Sequence, residues 1–257
     1  MGKQRGKRGR RPPATRESSG GSEENRSLAL LWGGRERPPR GPKPTLNLDA
    51  VVAAAIDVID AEGLSALTMT RVAERLGVTT MAIYRYVPGK SELVDLATDA
   101  ALGSPPEPGD GPWRSEIARW ARASLARCQE RPWRLESAQH RVPIGPNWLG
   151  WLDAGLRALA GSGLAATEML NAVMLVDGHV RATAQLSAGA AATQRWTQDF
   201  RRVLESALGD PRYPALTRLA DAGGFSDPAS ETPFEFGLER VLDGIGARVA
   251  AQPSRRR

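Results

Sequence analysis

The segment TMTRVAERLGVTTMAIYRYVPGK, residues 68–90, decides the fold. Thr68 is a good helix N-cap, and Val72, Ala73 and Leu76 behind it recur at helical spacing, which predicts a short helix with one apolar side. Gly77 permits a tight turn. A second short helix is predicted from Thr80 to Tyr86, ended by Pro88-Gly89. Two short helices across a glycine turn make a helix-turn-helix. In the second helix Ile83 and Val87 are four apart and pack inward, which leaves Thr80, Met81 and Tyr84 on the outer face. A solvated helix face ordinarily carries Glu, Lys or Gln. Thr, Met and Tyr instead suit base edges and thymine methyls in the major groove of double-stranded DNA. Arg71, Arg75, Arg85 and Lys90 against a lone Glu74 give the segment a net charge of +3, as phosphate contact requires. The same spacing also fits a structural helical hairpin whose Tyr84 and Met81 pack on another helix, and spacing does not choose between the two.

Upstream, Leu48, Val51, Val52, Ala55, Ile56 and Ile59 fall on one helix face, with Asn47 placed to cap its start and Gly63 expected to supply the left-handed residue that stops it. Downstream, Ser91 is expected to cap a helix that reaches about Leu102. These elements form a reading unit over residues 46–102. The stretch 103–112 holds three Gly and four Pro and is expected to be a linker. Beyond it helices are predicted at about 113–131, 147–160, 165–188, 193–208, 213–222 and 234–250, within a second unit of residues 113–251. No run alternates as a strand would, so the fold class is all-α. Six of the seven tryptophans lie in 113–196, and Trp148 and Trp151 share a helix face. Large aromatics in a helical unit either fill its core or line a ligand cavity.

The charge is unevenly placed. Residues 1–45 hold 12 Lys/Arg and 4 Asp/Glu, a net of +8, while the other 212 residues are slightly acidic. Rich in Gly, Pro, Ser and Arg, this tail is expected to be disordered, since it cannot bury enough apolar surface to offset chain entropy. Residues 252–257 form a second, shorter basic tail. No run of eighteen apolar residues suggests a membrane span, and no apolar stretch near the N-terminus has the length of a signal peptide. The single cysteine, Cys128, cannot form an internal disulfide, in keeping with a cytoplasmic location.

The sequence also resembles the tetracycline-repressor (TetR) family of bacterial transcriptional regulators. LDAVVAAAIDVIDAEGL at 48–64, TMTRVAERLGV at 68–78, IYRYVPGK at 83–90 and SELVDL at 91–96 look like its DNA-binding domain. RYPALTRLADAGGF at 212–225 and FEFGLERVLDGI at 234–245 look like the C-terminal domain of the tetracycline repressor's own subgroup. The resemblance implies a repressor that binds a palindromic operator as a homodimer and is released by a small hydrophobic molecule. It places Thr80, Met81 and Tyr84 against bases, Ala82, Tyr84, Tyr86 and Lys90 near phosphates, and Thr70 at another DNA-contacting position. Arg71 and Arg85 join them on charge alone. It implies ligand binding within 113–196, where Trp120, Trp148, Trp151 and His179 are the candidate contacts. It also implies a four-helix bundle between two chains, formed by 165–187 and 234–250. Gly178, Ala182, Ala184, Gly244, Gly246 and Ala247 are small enough there for close helix approach.

Two rival classes remain to be weighed. An enzyme would need a nucleophile and base, or a ligand set for a metal, yet the chain has only His140, His179 and Cys128 and no H-E-x-x-H, C-x-x-C, G-x-S-x-G or P-loop pattern. A constitutive architectural protein would coat DNA through the basic tail, with weak selectivity and no ligand response. The family's founding member binds its drug as a magnesium chelate through a histidine, and His140 lies near the corresponding region. No carboxylate is evidently paired with it, so no cofactor and no metal are expected.

Overall fold

Asn47 accepts the Ala50 amide at 2.7 Å and Thr68 the Arg71 amide at 3.1 Å, so the two predicted caps fix the entry of the first helices after residue 45. The computed structural model describes residues 19–33, 46–137, 142–187, 190–224 and 232–251. Its helices run in the order α1 (Ser19–Gly33), α2 (Leu48–Glu62), α3 (Met69–Leu76), α4 (Thr80–Tyr84), α5 (Lys90–Leu102), α6 (Trp113–Glu130), α7 (Trp133–Ser137), α8 (Pro146–Ala158), α9 (Ala166–Ser187), α10 (Ala190–Ala207), α11 (Pro214–Asp221) and α12 (Pro233–Ala250). A single 3-10 turn at Leu64–Ala66 joins α2 to α3. No strand occurs among the described residues, and the fold is all-α. None of these helices is long and apolar enough to cross a membrane.

The buried side chains gather in two cores. The first unites Val51, Ala55 and Ile59 of α2 with Val72 of α3, Ile83 of α4, Val87, and Leu93 and Ala97 of α5. The second unites Ile117 and Trp120 of α6 with Trp151 of α8, Val173, Val176 and Val180 of α9, and Leu238 and Leu242 of α12. Two helices serve both. On α5, Leu93 and Leu96 belong to the first core and Leu102 to the second. On α7, Trp133 belongs to the first and Leu135 to the second.

Several expectations need correction. The tail is not wholly without structure, for residues 19–33 form α1, whose Leu31 is buried in the first core beside Leu30. Arg26 pairs with the buried carboxylate of Glu92 at 3.2 Å, and the Trp32 indole N–H donates to the Ile144 carbonyl at 3.0 Å. Average composition over 45 residues hides a short apolar run that a groove between α2 and α5 can cover. Residues 1–18, 34–45 and 252–257, and with them the rest of the two tails, lie outside the described residues, as does His140. Ser91 does not cap α5. Gly89 takes the N-cap position with extended backbone, and Ser91 sits inside the first turn. Within the stretch 103–112, the Trp151 indole donates to the Gly103 carbonyl at 2.9 Å, and the Gly109 amide donates to Glu116 at 3.0 Å. Ala184 is buried in its own chain's second core, so it has no surface to offer a partner.

Candidate functional site

The turn between α3 and α4 closes as its residues dictate. Gly77 adopts φ 66°, ψ 32°, and the Val78 amide returns to the Ala73 carbonyl at 3.0 Å. Ile83 and Val87 are fully buried, and this anchors α4 by one side. Its other side presents Met81, 73% exposed, and Tyr84, 46% exposed, with Thr80 and Ala82 half-buried between them. Apolar side chains of that size are costly to leave in water, so such a face is one kept for contact. Thr70 is exposed in the first turn of α3, and Arg85 and Lys90 are exposed just beyond α4.

Two of the nominated residues have other work. Arg71 is held by Glu62 at 2.5 Å and by Glu74 at 3.1 Å, hydrogen bonds that raise its pKa further above the usual arginine value. Arg75 pairs with Asp57 at 3.1 Å. Counting charge along one segment missed these carboxylates, because Glu62 and Asp57 come from α2. Tyr86 is half-buried, and its hydroxyl donates to the Leu46 carbonyl at 2.9 Å, which braces the start of α2. The surface charge left beside the α4 face is that of Arg85 and Lys90, neither of which has an ion pair among the described residues.

A cleft with a volume of about 70 Å³ opens between α5 and the helices of the second unit. Trp120, Trp148 and Trp151 all line it. Trp120 and Trp151 meet edge to face with ring centres 6.0 Å apart, and the Trp120 indole donates to the Trp151 carbonyl at 2.9 Å. His179 does not line it. Its ring stacks on Phe234 at 5.3 Å and its Nε2 lies 2.9 Å from the Phe234 carbonyl, between α9 and α12. The inward face of α9 is set by Val173, Val176 and Val180, and His179 falls beside that stripe.

Sequence reasoning missed the polar part of the cleft: Thr98, Asp99, Ser124, Cys128, Arg134, Asp177 and Arg181. They come from α5, α6, α7 and α9, so no spacing within one element could gather them. Pro132, a good first residue for a helix, was the one local sign of α7. Asp99 is buried and accepts the amides of Asn147 at 3.2 Å and Trp148 at 2.9 Å, and so caps α8. The Asn147 side chain adds a third donor at 3.0 Å. Asp177 pairs with Arg181 at 2.8 Å. These carboxylates do not fit a divalent cation: one is spent on a helix cap and the other on an arginine. No cluster of three ligating side chains occurs among the described residues.

A helix-turn-helix with an exposed reading face, joined through a shared helix to a larger helical unit, is the build of a DNA-binding transcriptional regulator. Comparison with known proteins gives the family. Residues 51–97 match the model of bacterial regulatory proteins of the tetR family, and residues 105–249 match the tetracyclin repressor-like C-terminal domain. The chain is 39% identical over 252 residues to the HTH-type transcriptional repressor DrrR1 of Streptomyces coeruleorubidus, covering 91% of this chain and 90% of that one. It is 30% identical over 224 residues to the class A tetracycline repressor from transposon 1721 of Escherichia coli, covering 79% and 92%. ActR of Streptomyces coelicolor, solved in complex with actinorhodin, superposes with a TM-score of 0.69 at 29% identity, covering 81% of this chain and 99% of that one. The chain therefore belongs to the TetR family of transcriptional regulators. These relatives are regulators and not enzymes.

Proposed function

We propose that the chain is a homodimeric repressor that holds a palindromic operator and lets it go when a small molecule fills the cleft beside Trp120, Trp148 and Trp151. One observation carries this reading: α5 supplies Leu93 and Leu96 to the core of the reading unit and Thr98, Asp99 and Leu102 to the wall of the cleft. A change of shape in the cleft can reach the core that holds α4 through this helix. ActR, which shares this fold, was solved in complex with actinorhodin, and by that likeness this chain takes a small molecule too.

On DNA, Thr80, Met81 and Tyr84 read bases, while Thr70, Arg85 and Lys90 hold the backbone. One α4 serves one half-site, and two copies set roughly 34 Å apart serve a palindrome. Support for pairing comes from α9 and α12. Leu175, Gly178 and Ala182 lie exposed along one side of α9, and Phe236, Gly244 and Ala247 along one side of α12. A methyl group added at Gly178 or Gly244 would meet nothing within 4 Å in the single chain, which leaves both helices open to close approach.

Selection of bound duplexes from a random pool, followed by sedimentation of the complex, tests the reading. An inverted repeat carrying two chains is the expected outcome. Enrichment of no sequence, or one chain on an asymmetric site, would contradict it.

A further inference from the structure

Arg134 stands in the wall of the cleft with one guanidinium nitrogen unanswered. Its Nη1 is buried and has no hydrogen-bond partner among the described residues. Its Nε–H reaches only the Thr98 carbonyl, at 3.3 Å, a long contact. Burial of one donor of a cation without an acceptor is costly, and native proteins seldom leave it so without cause.

Every other charged group that faces the cleft is already matched. Asp99 takes three N–H donors, and Asp177 is paired with Arg181. Burial pushes the Cys128 thiol up, so it is neutral near pH 7. Burial likewise pulls the Arg134 guanidinium below its ordinary value; Arg181 and Arg131 repel it, and Cys128 and Asp99 offset only part of this. The cleft thus combines aromatic and aliphatic walls with one desolvated cation whose Nη1 has no hydrogen-bond acceptor among the described residues.

On the reading that this cleft is the ligand site, we propose that its ligand is an aromatic molecule bearing an anionic oxygen, a carboxylate or an ionised phenol or enol, which pairs with Arg134 while its rings lie against the tryptophans. A charged acceptor gives the shortest and strongest hydrogen bonds a guanidinium can make, and low polarity around the pair strengthens them. This narrows the expected hydrophobic inducer to an acidic aromatic one. The preceding residue of α7, Trp133, lies in the core of the reading unit and donates its indole N–H to Asp60 at 2.7 Å. An anion drawn to Arg134 therefore acts on a helix that also touches α2.

Calorimetry on the full chain with anthracene-2-carboxylate and its neutral carboxamide tests the proposal. The carboxylate should bind at least about tenfold more tightly than the carboxamide, the usual scale for a hydrogen-bonded charge. Arg134→Gln should abolish that preference and leave the carboxamide's affinity within about threefold, while Arg134→Lys keeps part of the preference. Equal binding of the two probes to the native protein, or equal losses of both in Arg134→Gln, would overturn it. Should Arg134→Gln fail to fold, the comparison on the native protein decides alone. Binding of neither probe at millimolar concentration would instead overturn the reading of the cleft itself.

Discussion

The carboxylate of Asp99 on α5 accepts the main-chain N–H of Trp148 on α8 at 2.9 Å. This bond joins the helix that supports the reading unit to the helix that forms an aromatic wall of the cleft. The Trp151 indole, one turn further along α8, holds the Gly103 carbonyl just beyond the end of α5. Gly103–Pro112 is thus not the flexible joint that its composition suggests. The helix α5 itself makes the connection, and the wall of the cleft is fastened to it at two points.

Asp99→Ala should lower stability by about 1–3 kcal/mol, since it removes a helix cap and leaves buried amides without an acceptor. It should also shrink the effect of any bound ligand on DNA affinity. Thermal melting measures the first. A titration of operator affinity with and without ligand measures the second, and an unchanged ligand effect would mean that coupling runs elsewhere.

Replacement of Tyr84 or Met81 by Ala should weaken operator binding by about 1–3 kcal/mol where a base contact is lost. Neither should shift the melting temperature greatly, because both side chains are exposed. Ile83→Ala should do the reverse and cost about 2–4 kcal/mol of stability by emptying a fully buried position. A larger fall in melting temperature for Tyr84→Ala than for Ile83→Ala would mean that the faces of α4 are reversed.

Much of this head was legible in the sequence and much of the cleft was not. Asn47, Thr68 and Gly77 are local devices: each acts on amides or a turn within a few residues, so their types announce their roles. Ile83 and Val87 likewise follow from spacing. α1 could not be read in this way. Fifteen residues make a marginal helix in isolation, and its order comes from the groove against which Leu31 packs. Arg134, Asp99 and Asp177 are brought together from three helices, and only the tertiary fold states that they share one cavity. For Arg71, the sequence showed the charge but not the carboxylate of Glu62 nine residues earlier.

The arginines differ in what they can give to DNA. Arg85→Ala and Lys90→Ala should each reduce the slope of log affinity against log salt by about 1, as loss of one phosphate contact does. Arg71→Ala should change that slope little, because Glu62 and Glu74 already hold its guanidinium. Equal changes for all three would show that DNA displaces those carboxylates.

Truncation should separate charge from packing at the N-terminus. Removal of residues 1–18, which carry seven basic residues and one acidic residue, should flatten the salt slope while operator choice and melting temperature hold. Removal of residues 1–44 also strips α1 from Leu48, Val52 and Leu96, and melting should fall. Equal melting of the two truncated forms would mean that α1 adds nothing to the head.

The thiol of Cys128 reports on the cleft. Burial raises its pKa, so the reactive thiolate is scarcer near neutral pH than at an exposed cysteine and grows as pH rises past the usual thiol range. Alkylation of the intact protein should therefore be slow at pH 7, faster at higher pH, and slower again with the cleft filled. Rapid alkylation at pH 7 would mean that the cleft opens widely in solution.

The central claim is that occupation of the cleft changes the hold on DNA, and one titration tests it directly. Aromatic acids are added to the protein bound to a labelled operator while tryptophan emission and operator anisotropy are followed together. Trp120, Trp148 and Trp151 report entry to the cleft, and anisotropy reports release. The account predicts that both signals change over the same concentration range. Release is limited by the ligand's preference for one arrangement over the other, so about 3 kcal/mol of preference lowers affinity a little over a hundredfold. Tryptophan quenching that saturates while the operator stays bound would contradict it.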